Sequence, residues 1–488
     1  MSGVSAVIIR KKDLQKFSAA WLPFADVASD GLPMAQLLRL SLFQVSVGMA
    51  QVLLLGTLNR VMIVELSVPA MIVAAMIAIP VLVAPFRAFL GHRSDTYRSA
   101  LGWKRVPYLW FGSLWQMGGL AVMPTALLVL SGDVTFEVPF AGEVLAAVAF
   151  LMTGLGMHMT QTAGLALACD RASDATRPRV VALLYVANLL GMGVSALAIG
   201  WLLQNFQPLL LVQVVQGCAL ATLVLNLIAL WKQERVRPMT KAERDAPRPR
   251  FADAWTDLMA GGTAGRLLVV VMLGTLGFNM QDVLLEPYGG EILGLSVSQT
   301  TMLTAMSAAG ALCGFVLAAR WLARGTDPIR MAAAGILAGV LAFSCVIFAA
   351  PLGSTALFFA GAGLIGFGGG LFAIATLTVA MTMPVGGLAG AGIALGAWGA
   401  AQATAYGVSI FMGGTIRDVV GHLASSGRLG PALSDPSLGY SFVYHLEIGL
   451  LFATLAVLGP MVRLRPLADQ NQPQTSGDGR LRIAEFPT

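Results

Sequence analysis

Several polar side chains stand inside long apolar runs, where each needs a reason. His158 lies between Met157 and Met159 and follows Gly154 and Gly156. A neutral imidazole can ligate a metal centre, and small neighbours leave room for a flat group beside it. The plainer reading is an interhelical hydrogen bond, with Thr160 or Gln161 taking part. His445, in the last apolar run, is a second candidate of the same kind, whereas His92 and His422 fall in loops and read as solvated. Trp398, Gln402 and Tyr406 follow a glycine-rich stretch and could edge a flat binding platform.

A second cluster reads Asn279, Gln281, Asp282 and Glu286, followed by Pro287. Spaced four apart, Asp282 and Glu286 should share one helix face. Paired carboxylates in a low dielectric can hold a proton near neutral pH. A polar contact to a ligand or partner chain is another use. The bland alternative is an interfacial helix end reaching headgroups and water, because the cluster falls in the outer third of its run. Pro287 should end or kink the helix there.

Asp170-Arg-Ala-Ser-Asp174 looks like half of an aspartate-rich magnesium–diphosphate site. Such chemistry needs a second acidic cluster, and the other one in view is Asp26-x-x-x-Asp30, ahead of the first apolar run. With Arg171, Arg177 and Arg179 beside it, the segment reads as a salt-bridged loop. No Walker motif, no His-Glu-x-x-His and no recognisable Ser/His/Asp setting occurs, so the expectation is a protein without catalytic residues, nucleotide site or resident metal. The cysteines (Cys169, Cys218, Cys313, Cys345) show no zinc spacing and no disulfide framework.

The elements that must carry these residues are apolar runs of spanning length. The chain has 488 residues, 57% hydrophobic and 11% charged, whereas soluble domains carry about 25% charged residues. About twelve runs of roughly 20 residues follow one another, near 37–58, 68–90, 107–130, 143–168, 180–203, 210–231, 267–288, 299–320, 331–350, 355–381, 389–412 and 441–463. The expected class is all-α, a polytopic bundle in two six-helix halves, 37–231 and 267–463, joined by a basic loop over 232–266. Residues 1–36 are expected to form a cytoplasmic arm, with 11–30 reading as an interfacial amphipathic helix or as a disordered arm, and the tail over 464–488 reads as disordered.

With the N-terminus inside, about 26 of the 31 basic residues fall in cytoplasmic segments. Arg60, Arg417 and Arg428 fall outside, while Arg39 and Arg87 sit at cytoplasmic helix ends. Both termini are therefore expected in the cytoplasm. The net charge of +6 belongs to topology and anionic membrane lipid rather than to nucleic acid.

Six plus six helices around a basic loop resemble the major facilitator superfamily. One local motif supports this: Gly91-His-Arg-Ser-Asp95, then Arg98, Gly102, Lys104 and Arg105, between the second and third runs. The equivalent loop of the second half, over 314–330, keeps Arg320 and Arg324 but lacks the acid. A narrower resemblance covers nearly the whole chain. Residues 91–108 (GHRSDTYRSALGWKRVPY), 153–164 (TGLGMHMTQTAG) and 279–290 (NMQDVLLEPYGG) are similar to the PucC/LhaA family, the bacteriochlorophyll delivery group of that superfamily.

The resemblance implies an assembly factor for light-harvesting antenna complexes of a purple phototrophic bacterium, in its intracytoplasmic photosynthetic membrane. It implies bacteriochlorophyll a, and with it a carotenoid, as molecules held or delivered. The implied partners are nascent antenna polypeptides, the light-harvesting 1 α and β chains ahead of those of light-harvesting 2, with the reaction centre and bacteriochlorophyll synthase beside them. Under this reading His158 becomes a candidate ligand of a chlorin magnesium, with Gln161, His445, Trp398 and Gln402 as further pigment-binding candidates.

The other function class is a secondary transporter of a small or amphipathic molecule. The run over 181–204 lacks the proline of antiporter members, and no membrane-centre Lys or Arg is expected, which is sparse for a hydrophilic substrate. Gly366/Gly370 and Gly392/Gly396 are small-x-x-x-small pairs, whose plainer use is close helix packing and whose sharper one is a platform for a tetrapyrrole.

Overall fold

A computed structural model describes residues 33–82, 103, 105–132, 138–172, 177–234, 262–382, 391–430, 433–435 and 437–463. The N-terminal arm, most of the central loop, the tail, and Gly91, Asp95, Arg98, Gly102 and Lys104 of the loop motif lie outside these residues.

Among the described residues the chain is helical, without strands. The helices are α1 (Met34–Glu65), α2 (Ala70–Leu82), α3 (Val106–Leu130), α4 (Ala141–Arg171), α5 (Arg177–Leu202) and α6 (Pro208–Leu230). They continue as α7 (Thr263–Glu291), α8 (Val297–Ala323), α9 (Pro328–Ala349), α10 (Thr355–Thr382), α11 (Ala391–Ser425) and α12 (Leu438–Arg463). Ten of these described helices are long and apolar enough to cross a membrane, and the described part of α2 is a shorter apolar helix.

Two helices outrun their apolar cores for the same reason. α1 continues past the run ending near residue 58, through two π-helical stretches, Val52–Thr57 and Val61–Glu65. Arg60 looked like a loop residue, yet it is buried, pairs with Glu65 at 2.5 Å and donates to the Leu295 carbonyl at 3.1 Å. α11 likewise extends to Ser425 because Arg417 and Asp418 find partners on other helices. A charge with an internal partner need not end a buried helix.

Within the first six helices α1 packs on α5 and α6, and α3 on α4 and α6; within the second six α10 packs on α8 and α9, and α12 on α7, α9 and α11. Contacts between the sixes run through α2 with α11 and α5 with α8. Glycines allow the closest approaches. A Cβ on Gly366 would collide with the Ser307 carbonyl of α8, and one on Gly370 would lie 3.0 Å from the Ala311 carbonyl. Gly368 and Gly361 do the same work against α9. The glycine ladder of α10 is thus occupied by its neighbours on two sides.

The two ends of the bundle differ. At one end, Arg39 donates to the Trp231 carbonyl, Arg105 pairs with Asp170 at 2.9 Å, and Arg171 bonds Gln233 and Gln36, all within the first six helices. At the other end Arg417 of α11 binds Glu291 of α7 at 2.5 Å, beside Tyr440 of α12. There Asp418 accepts the Met71 N–H at the start of α2, so a side chain of one half caps a helix of the other. Tyr288, Tyr440 and Tyr444 meet edge-on under this cluster, with centroids 5.3 and 5.5 Å from Tyr288.

Candidate functional site at the break in helix seven

α7 is not continuous. It runs to Asn279, passes through a 3-10 turn over Met280–Val283, and restarts at Leu285. The local sequence explains why. The Asn279 amide bonds back to the Thr275 carbonyl at 2.6 Å, and Pro287 has no N–H to give to the Val283 carbonyl four residues earlier. Backbone groups freed inside a lipid-enclosed bundle must be satisfied by protein. Here two other helices supply the partners. Asn59 of α1 donates to the Val283 carbonyl at 2.9 Å, and Glu447 of α12 accepts the Gln281 N–H at 2.8 Å.

The break also separates the two carboxylates that a regular helix would place on one face. Asp282 accepts hydrogen bonds from its neighbour Gln281 and from the Tyr406 hydroxyl of α11. Glu286 turns to α8, where Thr304 donates to Oε1 at 2.7 Å, and it packs on Gly56 in the first π stretch of α1. The expected shared face is therefore corrected: the change from the 3-10 turn over Met280–Val283 to the α-helix restarting at Leu285 alters the register between the two residues. The headgroup-facing helix end is corrected too, since Gln281 and Glu286 are about 5% and 4% exposed. The kink lies ahead of Pro287 rather than at it, and Pro287 occupies the first turn of the restarted helix, where a missing N–H is tolerated.

Glu447 is fully buried, and it was not singled out from the sequence. The signal was present: it is the one acid within the apolar run 441–463. One oxygen of Glu286 and one of Glu447 are buried without a hydrogen-bond partner. The site thus holds three carboxyls on two helices, together with Asn59, Thr304 and Tyr406 from three more.

His158 lies across the bundle on α4. It lines a cavity of about 50 Å³ with Gln51, Pro80, Gly154, Met157 and Tyr406. Tyr406, whose hydroxyl donates to Asp282, also lines this cavity, which is therefore bordered by helices of both halves. At about 10–15 Å³ per water, the space holds roughly three to five waters. It does not fit a tetrapyrrole. The flanking glycines are already used: a Cβ on Gly154 would sit 2.5 Å from Pro80, and one on Gly156 2.6 Å from the Gly112 carbonyl.

The other sequence candidates scatter. Gln161 reaches Gln44 at a long 3.5 Å, and the Trp398 indole donates to Thr376 of α10 at 3.2 Å. Gln402 is half-buried on α11, one turn before Tyr406. His445 is exposed on the outer side of α12, away from the cavity. Arg105, the described member of the loop motif, is buried, with Asp170 on its side chain and Glu234 on its backbone N–H. Asp170 is thus in a salt bridge, but its partner is Arg105 of the loop motif, whereas Arg171, its neighbour in sequence, bonds Gln233 and Gln36; Asp174 lies outside the described residues.

Among the described residues, helical composition, ten helices long and apolar enough to span a membrane and this arrangement define a multi-pass membrane protein with a major-facilitator-like fold. The structure of a bacterial homologue of the human lysosomal transporter Spinster, inward-facing and unoccupied, matches with a TM-score of 0.66 at 14% identity, over 88% of this chain and 96% of that one. At that identity the likeness concerns the fold. The family is shown by sequence: residues 57–465 match the model of the PUCC protein family, and the chain belongs to it. A protein of the puhA-bchM intergenic region of Rhodobacter capsulatus is 64% identical over 99% of this chain and its own full length. Protein PucC of Rhodovulum sulfidophilum is 54% identical, covering 82% of this chain and 88% of that one. The 44.5 kDa chain of bacteriochlorophyll synthase of Rhodobacter capsulatus is 29% identical, covering 79% and 88%.

Proposed function

We propose that this protein is an assembly factor for light-harvesting antenna complexes, holding bacteriochlorophyll and nascent antenna polypeptides at its lipid-facing sides. It works without catalysis, in the inner photosynthetic membrane of a phototrophic bacterium with both termini in the cytoplasm, and serves the core antenna ahead of the peripheral one. Membership of the PUCC family supports the photosynthetic setting. The observation that carries the lateral reading is the size of the cavity that His158 lines among the described residues. About 50 Å³ admits a few waters and no macrocycle, which supports contact with pigment and transmembrane polypeptides from the bilayer side rather than in that space. Large side chains stand outward for such contacts, among them Phe111, Trp115, Trp201 and Phe411.

The test is to purify the tagged protein in mild detergent from pigmented cells and record its absorption spectrum and co-purifying chains. Near-infrared bacteriochlorophyll bands together with antenna polypeptides are expected. A colourless protein without antenna partners, under conditions that leave known antenna complexes intact, refutes the proposal.

The second reading, a secondary transporter, is favoured by one feature. A discontinuous helix with buried carboxyls between bundle halves is how many secondary transporters build a binding site. Reconstituted protein that moves a small amphipathic molecule across vesicles, and loses this activity with Asp282→Asn, would establish it.

A further inference from the structure

α12 turns one face away from the bundle. Phe442, His445, Gly449, Phe452, Ala456 and Gly459 are all exposed, and at 3.6 residues per turn they fall within an arc of about 100°. In a spanning helix this arc meets lipid or a lateral partner. His445 is the polar exception on it. A polar side chain on a lipid-facing surface is costly and calls for a partner.

The imidazole is already oriented for one. Its Nδ1 lies 2.7 Å from the Ser441 carbonyl oxygen, one turn back on the same helix. A carbonyl can only accept, so Nδ1 carries the proton and donates, and in the neutral ring Nε2 presents a lone pair. An Nδ1–H bonded to a backbone carbonyl is the usual outer-shell support of a histidine that binds metal through Nε2. The exposed neighbours on this arc are apolar or glycine. A Cβ built on Gly449, one turn further on, has nothing within 4 Å. Phe442 and Phe452 flank His445 and Gly449 on this arc, ten residues or about 15 Å apart along the axis.

We infer that Nε2 of His445 is the axial ligand for the magnesium of a chlorin docked flat on the outer face of α12. The inference rests on the pigment-handling reading above and gives that reading a site. The ligand must be lipid-soluble, planar and apolar, and must carry a Lewis-acidic metal with an open axial position. A hydrated cation would need further protein ligands, and among the described residues no group of three His, Cys, Asp or Glu side chains could hold one. The bond is dative: the imidazole stays neutral and no proton moves. A ligand held there can pass sideways to a partner helix without the bundle opening.

The experiment uses the full chain in lipid nanodiscs, titrated with bacteriochlorophyll a. Wild type, His445→Leu, His158→Leu and His445→Gly with and without free imidazole are compared by binding isotherm and by the vibrational signature of magnesium coordination. Saturable binding with imidazole-type coordination is expected for wild type and His158→Leu. His445→Leu should weaken binding on the order of tenfold or more and lose the signature, and free imidazole should restore the signature in His445→Gly. Because His445 is exposed, these variants should keep the wild-type elution profile and helical circular dichroism, which verifies folding. Wild-type binding and coordination in His445→Leu overturn the site while leaving the proposed function intact. A wild-type protein that binds no pigment overturns both.

Discussion

Asn59 and Pro287 should be energetically coupled, although they lie on different helices and one is defined by a missing donor. In a continuous helix the N–H of residue 287 would bond the Val283 carbonyl; proline cannot, and Asn59 takes that carbonyl at 2.9 Å. Asn59→Leu removes the donor and leaves a buried acceptor, which costs about 1–3 kcal/mol. The variant also removes the Asn59 Oδ1, which is itself buried without a partner, so the net loss should fall to about 1–2 kcal/mol. Pro287→Ala supplies the missing N–H. The neighbouring bond, Tyr288 N–H to the Leu284 carbonyl at 2.8 Å, shows that the restarted helix already has the required geometry. In the double variant the new backbone N–H should take over the Val283 carbonyl and recover about 1 kcal/mol or more of the loss. The assay is SDS-driven unfolding followed by tryptophan fluorescence and helical circular dichroism, for the wild type, both single variants and the double. Strict additivity would show that Asn59 does not stand in for the helical donor and would refute this account of the break.

Other perturbations test separate parts of the structure. Glu447→Leu removes the acceptor of the Gln281 N–H and should destabilise by about 1–3 kcal/mol, whereas Glu447→Gln keeps a carbonyl oxygen there and should cost clearly less; the same unfolding assay compares them. Gly366→Ala forces α10 off Ser307 of α8 and should cost about 1–3 kcal/mol. Gly399→Ala, with nothing within 4 Å of the added methyl, should be neutral or stabilise by up to about 1 kcal/mol; thermal melting of the detergent-solubilised variants should rank them in that order. Arg417→Leu leaves Glu291 and Asp418 without their cation and should cost about 2 kcal/mol. It should also raise labelling by a membrane-impermeant thiol reagent of a cysteine placed at Met71, because the capped start of α2 loosens.

The bundle itself was legible in the sequence. Spanning runs are read from hydropathy because lipid admits little but self-satisfied helices, and most of the expected runs coincide with helices to within a few residues. The family was legible in three short stretches, and the model match over residues 57–465 agrees with them. The polar residues of α7 were visible as anomalies, and so was His445.

Their arrangement was decided by tertiary structure. Four-residue spacing put Asp282 and Glu286 on one face, and only the packing of Asn59 and Glu447 against a broken backbone sent them to α11 and α8. Glycines beside His158 suggested room for a flat ligand, but Pro80 and Gly112 from neighbouring helices fill it. The same limit explains Arg60 and Arg417, which local hydropathy puts outside the helices and ion pairs hold within them. Hydropathy is a property of one segment and survives in the linear chain. Which buried group satisfies which is a property of helices brought together from far apart, and no window along the sequence contains it.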